Sequence, residues 1–386
     1  MKLKKIVSLG LVLSMSVAAL AGCGKSDNAG SSNKNFVIGG IGPLTGSTAV
    51  YGQAVKNGAQ LAVDEINEAG GVNGMKLELN FQDDESDAEK SVNAYNTLKD
   101  KGMRLLMGTV TSTPCVAVAE KSKEDNIFQL TPSGSAVECT QYDNAFRICF
   151  NDPNQGTASA QYIKNNNLAS KIAIIYDSSD VYSQGIYEKF IAEAKNVGLE
   201  VVTSQAFTKD NKTDFSVQIQ KIQESDADLV FLPIYYQEAA LILQQASKSG
   251  LKTQFFGCDG LDGLLNQLKD NKELAEDVML LTPFAADAKD ELTQKFVKAF
   301  NENFNDTPNQ FAADAYDAIY TIKTALEDAG VKDTNIDPSE LCEKMKASMV
   351  KIKVPGVTGE MTWTADGEPT KEPKAMKIVD GAYTAM

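Results

Sequence analysis

The chain has 386 residues, 43% of them hydrophobic and 23% charged, which is a globular composition and enough chain for two domains. Its 37 Lys and Arg against 52 Asp and Glu give a net charge of −15, so phosphate backbones are repelled and nucleic acid is not an expected partner. The chain contains no histidine, which excludes Ser-His-Asp and Cys-His catalysis and every metal site that needs imidazole.

The N-terminal segment has the pattern of an export signal. The positive start "MKLKK" is followed by the apolar stretch Ile6–Leu20, which is shorter than a membrane span, and then by small residues and Cys23. This resembles a bacterial lipoprotein signal of residues 1–22, with lipid carried by Cys23; the alternative is an ordinary secretory signal with an incidental cysteine. Residues 23–35 are predicted to be a flexible tether. We therefore expect a lipid-anchored protein on the extracytoplasmic face of the cell membrane, folded from about Phe36.

Strands and helices alternate along the first half of the folded part. In the first predicted helix, Val55, Ala59, Ala62 and Ile66 recur at helical spacing. The predicted strands are 36–42, 76–82, 104–108 and 127–130, and the predicted helices are 51–69, a segment ending near 101, and 114–125.

The same alternation returns in the second half. Strands are predicted at 171–177, 199–207, 228–234 and 253–257; helices at 182–197, within 213–225, and at 237–249, 290–304, 310–329 and 338–348; and two short strands within 359–381. Successive strand–helix units predict an α/β fold with parallel sheets and right-handed crossovers. The two halves also share a weak repeat, which is consistent with two similar lobes.

Small polar residues follow the predicted strands at five places. They are Thr109–Thr113, Thr131–Ser135, Ser178–Asp180 with Tyr182, Tyr235 with Tyr236, and Cys258–Gly260. In open parallel sheets, ligands bind at the carboxyl ends of the strands. Hydroxyls and N–H groups at helix N-termini suit a carboxylate, Asp259 suits an ammonium, and tyrosines supply walls. Each residue alone is equally a good helix cap, but together they predict a site for an amino acid.

The remaining motifs favour neither catalysis nor a cofactor. No GxxxxGK[ST] sequence exists, and Thr45 stands where a dinucleotide-binding motif needs its third glycine. The acidic run Asp83–Glu85 is typical of a solvated turn, so no metal site is expected. We expect a protein that is not an enzyme and that carries no cofactor.

Five cysteines follow the export signal. They are Cys115, Cys139, Cys149, Cys258 and Cys342. Their number is odd and no CxxC exists, so not all pair internally and a zinc ribbon is unsupported. Cys139 and Cys149 flank a predicted turn and are compatible with one disulfide or with free buried thiols.

Four segments carry a resemblance to a known family. They are "IGGIGPLTGSTAVYGQAVKNGAQLAVDEINEAGGVNG", "MGTVTSTPCVAVA", "QLTPSGSA" and "GLKTQFFGCDG". They resemble the substrate-binding proteins of branched-chain amino acid ABC importers, over nearly all of the chain from Phe36. The resemblance implies two Rossmann-like lobes joined by a hinge, with the ligand in the cleft between them. It places lobe 1 at 36–154 and 284–356, and lobe 2 at 155–283 and 357–386.

The resemblance also implies roles for individual residues. Ser112 corresponds to the serine that holds the ligand's carboxylate. In the loop of Ser133, Gly134 and Ser135, the last residue binds carboxylate and ammonium and the first offers a carbonyl. Tyr182 corresponds to a tyrosine of the second lobe, and Asp259 takes the ammonium where the family commonly has Glu. The side-chain pocket is shaped by Tyr51, Tyr235 and Phe311.

Two departures from the family bear on the ligand. Asp259 is one methylene shorter than Glu, so the ammonium is expected to sit deeper or to be bridged by water. Gly134 is expected either to free the backbone of its loop or to make space for a ligand larger than leucine. The tyrosines are expected to make the pocket larger or more polar than one for leucine alone.

These points predict a monomeric binding protein that captures a branched-chain or related amino acid and delivers it to the membrane permease and ATPase subunits of an ABC importer. A sensor of the same fold for an amide, an aromatic amino acid or a urea-like compound is the alternative.

Overall fold

The computed structural model describes residues 34–386, so the predicted signal 1–22, the lipidation site Cys23 and most of the tether lie outside the described part. The strands are β1 (Phe36–Gly42), β2 (Leu77–Asp83), β3 (Leu105–Gly108), β4 (Gln129–Thr131), β5 (Ala145–Arg147), β6 (Lys171–Asp177), β7 (Glu200–Phe207), β8 (Leu229–Leu232), β9 (Gln254–Gly257), β10 (Met279–Thr282), β11 (Val354–Gly356), β12 (Gly359–Met361), β13 (Lys374–Val379) and β14 (Ala382–Ala385). The helices are α1 (Ala49–Glu68), α2 (Ala88–Asp100), α3 (Ser112–Glu124), α4 (Asp152–Asn165), α5 (Val181–Val197), α6 (Ser216–Gln223), α7 (Tyr236–Ser249), α8 (Leu264–Gln267), α9 (Glu291–Phe304), α10 (Gln310–Asp328) and α11 (Pro338–Met349).

The first sheet has the strand order β2-β1-β3-β4-β5, and all of its pairs are parallel. All of its strands except the edge strand β2 are buried on both faces, and successive side chains along a strand point to opposite faces. Leu105 and Met107 belong to the hydrophobic cluster that includes α1 and α10. Leu106, on the other face, packs with residues of α2 and α3. These buried faces explain why the strands of this lobe read as nearly continuous apolar runs.

The second sheet repeats this arrangement. Its parallel part has the order β7-β6-β8-β9-β10, the same topology as the first sheet counted from its own first strand. In β6, Ile172 and Ile174 pack against the side of α4 and α5, whereas Ala173 and Ile175 belong to the cluster with α6 and α7. The prediction of two α/β lobes with parallel sheets is confirmed, and the weak sequence repeat corresponds to a repeated strand order.

The chain end differs from the prediction. Instead of two short strands, residues 354–385 contain four: the β11–β12 hairpin, and β13 and β14, which add antiparallel to the edge of the second sheet at β10. The sequence prediction also missed β5, α4 and β10. The strands β5 and β10 have three and four residues, too few to show a period, and α4 is rich in small and polar residues.

The chain passes between the two sheets three times: from β5 to α4, from β10 to α9, and from β12 to β13. In residues 34–386, no helix has the length and apolar character that crossing a membrane requires. Within the same residues, no group of three or more Cys, Asp or Glu is arranged to hold a metal ion.

Candidate functional site

An enclosed cavity lies where the carboxyl ends of the two sheets face each other. Eight of the nine predicted site residues line it: Tyr51, Ser112, Ser133, Ser135, Tyr182, Tyr235, Asp259 and Phe311. The others in its wall are Val110, Thr111 and Gly260. Because both sheets have the doubly wound strand order, their switch points bring the N-terminal ends of helices from both lobes to this place.

The first lobe contributes two loops that are bonded to each other. The Ser112 hydroxyl, at the start of α3, accepts hydrogen bonds from the N–H groups of Ser135 (3.2 Å) and Ala136 (3.1 Å). The Ser133 hydroxyl donates to the Val110 carbonyl at 2.7 Å. This end of the cavity therefore presents hydroxyls and backbone N–H groups, which are suited to an anion.

Gly134 is the predicted residue that does not line the cavity. A Cβ built at this position would lie 2.8 Å from Thr131 Oγ1 and 2.9 Å from Cys115 Sγ, on the interior side of the loop. The Gly134 N–H donates to Thr131 Oγ1 at 2.8 Å. The expectation that Gly134 enlarges the ligand pocket is therefore wrong: the missing side chain lets the loop pack on α3.

The second lobe contributes a buried carboxylate. Oδ1 of Asp259 accepts a 2.7 Å hydrogen bond from the Tyr182 hydroxyl, which also accepts one from the Gly260 N–H at 3.0 Å. Burial raises the pKa of Asp259 to about 6, although its hydrogen bonds, that from Tyr182 first, oppose the shift. A carboxylate held at this depth favours a positively charged partner.

Four aromatic rings fill the space between these two ends. Tyr51 stacks on Phe311 with ring centroids 4.0 Å apart, and Tyr182 stacks on Tyr235 at 4.8 Å. The Tyr51 hydroxyl also donates to the Gly260 carbonyl of the other lobe at 2.5 Å. The remaining cavity has a volume of about 10 Å³, room for about one water molecule. The rings pack on each other and leave this small space, so the expectation that the tyrosines make the pocket larger or more polar stays a prediction.

The sequence prediction missed polar residues behind the cavity, in the crossing from β5 to α4. Asp152 is 1% exposed, and the Ser135 hydroxyl lies beside it without a well-formed hydrogen bond. Burial raises the pKa of Asp152 well above its usual value. Gln155 accepts a hydrogen bond from the Asp259 N–H at 3.2 Å, and its amide nitrogen has no partner within residues 34–386. Asn151 followed by Pro153 is a helix-start signal that would have revealed α4.

The five cysteines in the described part are free and buried. Cys139 packs with Cys115 and Ala136, whereas Cys149 Sγ faces the Gly134 carbonyl at 3.7 Å. The structure therefore agrees with free thiols and not with a Cys139–Cys149 disulfide, because β5 carries Cys149 to the other side of the loop.

The cavity is chemically asymmetric. One end has the N–H groups and hydroxyls around Ser112 and Ser135, the other has the Asp259 carboxylate, and aromatic rings lie between them. Such an arrangement complements a small zwitterion with an apolar part. Among the residues that line the cavity, none forms a nucleophile–base pair.

Comparison with known proteins agrees with this description. Residues 36–382 match the family model described as periplasmic binding protein. The chain is 30% identical over 359 residues to Leu/Ile/Val-binding protein homolog 1 of Brucella suis biovar 1 (strain 1330), covering 90% of this chain and 92% of the relative. It is 28% identical over 309 residues to the leucine-, isoleucine-, valine-, threonine-, and alanine-binding protein of Pseudomonas aeruginosa PAO1, covering 80% of this chain and 81% of that protein.

A solved structure gives the same result. The branched-chain amino acid transporter substrate binding protein LivJ from Streptococcus pneumoniae, in complex with isoleucine, superposes with a TM-score of 0.83 at 27% identity, covering 91% of this chain and 99% of the other. The fold, the position of the cavity and the match over nearly all of the described residues lead to one conclusion: the chain belongs to the periplasmic binding protein family.

Proposed function

We propose that this protein binds a branched-chain or related amino acid between its two lobes, without transforming it, and delivers it to an ABC importer. The observation that carries this proposal is the opposition of Ser112 and Ser135 on one lobe to Asp259 on the other, across a single cavity. In this proposal, the N–H groups and hydroxyls hold the ligand's carboxylate, and Asp259 pairs with its ammonium. Tyr51, Tyr235 and Phe311 contact the side chain.

Binding requires the lobes to separate first. Even glycine is larger than the one water molecule that the closed cavity accommodates. Entry of a ligand therefore breaks contacts between lobes, such as the hydrogen bond from Tyr51 to Gly260, and closure re-forms the site around it. A permease that recognises the closed lobes would then receive only loaded protein.

The names of the relatives support the proposed class of ligand. The Brucella relative is named for Leu, Ile and Val, and the Pseudomonas protein also for Thr and Ala. The tight ring packing supports the smaller members of this set, since each ring must move to admit a longer side chain.

Titration calorimetry with each of the twenty amino acids tests the proposed ligand class. We expect micromolar or tighter binding of at least one of Ala, Thr, Val, Ile and Leu, and no turnover of the bound compound. Absence of binding to all twenty by folded protein would contradict the proposal.

Lipid anchoring at Cys23 is the second part of the proposal. It rests on the sequence "LAGC" after an apolar stretch, and it would concentrate loaded protein near the permease. Expression of the full chain with Cys23→Ser is expected to move the protein from the membrane fraction to the soluble fraction. A variant that stays in the membrane fraction would contradict the anchor.

A further inference from the structure

The residues that line the cavity include no Lys or Arg, although the proposed ligand carries a carboxylate. Two acidic side chains, Asp152 and Asp259, are buried nearby, and each makes the potential there more negative when it is ionised. An anion transferred from water to such a place needs compensating positive charge. Arg147, at the end of β5, is a buried cation that contacts the loop of Ser135, at the Ser112 and Ser135 end of the cavity.

Arg147 is fully buried and holds the loop by hydrogen bonds. Its Nη1 donates to the Gly134 carbonyl at 3.0 Å, and its Nη2 donates to the Ala136 carbonyl at 3.0 Å and to Thr140 Oγ1 at 2.9 Å. The guanidinium therefore fixes the carbonyls on both sides of Ser135, in the two-pronged geometry that arginine provides and lysine does not.

The contact with Gly134 also has an electronic consequence. The Gly134 carbonyl and the Ser135 N–H belong to one peptide group, and this N–H is the one that donates to Ser112 Oγ at the cavity. A cation bound at the carbonyl end of a peptide polarises it and strengthens the N–H as a donor. The buried charge of Arg147 thereby acts at the cavity without touching it.

The counter-ion of Arg147 comes from the C-terminal part of the chain. Glu368 Oε1 lies 3.0 Å from Arg147 Nε, and the Glu368 side chain is 28% exposed. This carboxylate is partly solvated and also accepts hydrogen bonds from Thr140 Oγ1 and Asn151 Nδ2, both at 2.9 Å, so it neutralises the guanidinium only in part.

We propose that Arg147 is the positioning residue for the ligand's carboxylate, acting through the Gly134–Ser135 peptide, with Glu368 as an opposing charge that weakens this effect. The inference rests on the proposed function, in which an amino acid occupies the cavity.

The experiment compares the binding of L-leucine with that of L-leucinamide, which lacks the negative charge. Arg147→Met is expected to weaken L-leucine binding about tenfold to hundredfold, the range for a lost charged hydrogen bond, with a smaller loss for L-leucinamide. Arg147→Lys should lie between the parent and Arg147→Met. Glu368→Gln should leave L-leucine binding unchanged or tighter, although it lowers the melting temperature.

The matched control is Arg104→Met, which removes a half-buried arginine bonded to Ile336 and Asn335, directly before β3 and so at the end of that strand opposite to the cavity. It should preserve the preference for L-leucine over L-leucinamide. If Arg147→Met does not fold, the other two variants still decide. A merely structural ion pair predicts weaker L-leucine binding in Glu368→Gln and equal losses for L-leucine and L-leucinamide in Arg147→Lys.

Equal losses for both ligands in the Arg147 and Glu368 variants would overturn the inference and leave the proposed function intact. A parent protein that binds no amino acid would contradict the proposed function, and the inference with it.

Discussion

The Tyr182 hydroxyl donates a 2.7 Å hydrogen bond to Oδ1 of Asp259, so part of the hydrogen-bonding capacity of this buried carboxylate is satisfied by the protein itself. Both groups belong to the second lobe, on α5 and after β9. In the proposed function, an arriving ammonium would meet a carboxylate that is fixed in direction and still has hydrogen-bonding capacity. The bond from Tyr182 also limits the cost of burying Asp259.

Replacement of Asp259 tests the ammonium site. Asp259→Ala is expected to weaken amino-acid binding by about 2–5 kcal/mol, because it leaves a desolvated ammonium without its ion partner. Calorimetric titration with the tightest ligand measures the change. Asp270→Ala, at an exposed position nearby in sequence, is the control. A loss below about 0.5 kcal/mol, the range of a neutral surface change, would place the ammonium elsewhere.

Binding should also depend on pH. The pKa of Asp259 is raised to about 6, so near pH 5 only about one molecule in ten has the anion, and affinity should be roughly tenfold weaker than at pH 7.5. The pKa of this carboxyl is higher in the folded protein than in the unfolded chain, so its protonated form stabilises the ligand-free protein at low pH. This contribution to stability is lost as the pH rises from about 4 through 6. Affinity and stability should therefore change in opposite directions with pH.

Two variants separate Asp259 from its neighbours in that experiment. Tyr182→Phe removes a hydrogen bond that lowers the pKa of Asp259, so the midpoint of the binding profile should move to higher pH. Asp180→Asn removes another carboxyl whose pKa is raised by burial to about 6, and the profile should persist. A profile that disappears in Asp180→Asn would assign the titration to Asp180.

Gly134→Ala should disturb the loop from inside. The new Cβ would fall within 3.0 Å of Thr131 and Cys115, so the loop must shift, at a cost of about 1–3 kcal/mol in the free energy of unfolding. Ligand affinity should fall too, because the Ser135 N–H moves with the loop. Urea unfolding measures the stability, and the double variant with Cys115→Ala should recover part of it. Unchanged stability in Gly134→Ala would contradict this packing.

Phe311→Ala should broaden the ligand range. The ring is 4% exposed and stacks on Tyr51, so its removal should cost about 3–5 kcal/mol of stability and open space beside the cavity. The affinity for phenylalanine relative to valine should rise at least about tenfold. Phe300→Ala, on α9 and equally buried, should lower stability without changing this ratio. A ratio that changes alike in both variants would indicate a general loosening.

Lys371→Met should destabilise the connection between the lobes. Lys371 and Asp314 form an ion pair at 3.0 Å with side chains 1% and 0% exposed, and Lys371 also donates to Thr358 Oγ1 at 2.6 Å. Loss of one partner leaves the other charge buried, which costs about 3–5 kcal/mol. Lys353→Met breaks an exposed pair with Glu360 and should cost less than about 1 kcal/mol. Thermal unfolding measures the loss of stability in both variants, and losses of similar size would contradict the prediction.

The sequence predicted the cavity residues better than their surroundings. Ser112, Tyr182 and Asp259 follow strands whose apolar runs are unmistakable, and parallel sheets bring such positions together. Arg147 belongs to a strand of three residues, too short to show a period, and Asp152 begins a helix rich in small and polar residues, which is marked only by Asn151 and Pro153 at its start. The size of the cavity could not be predicted at all, because it depends on how rings from distant segments stack.

The C-terminal contacts of Arg147 bear on how the protein acquires its function during folding. The Trp363 indole donates to the Arg147 carbonyl at 2.7 Å across 216 positions of the chain, and Glu368 reaches the same residue. Contacts between residues so far apart in sequence form late in folding, because closing a long loop costs entropy before the stabilising contacts are made. A chain still emerging from the ribosome therefore lacks these supports of the Ser135 loop until Trp363 and Glu368 have been added. The loop reaches its final arrangement only after that point of synthesis.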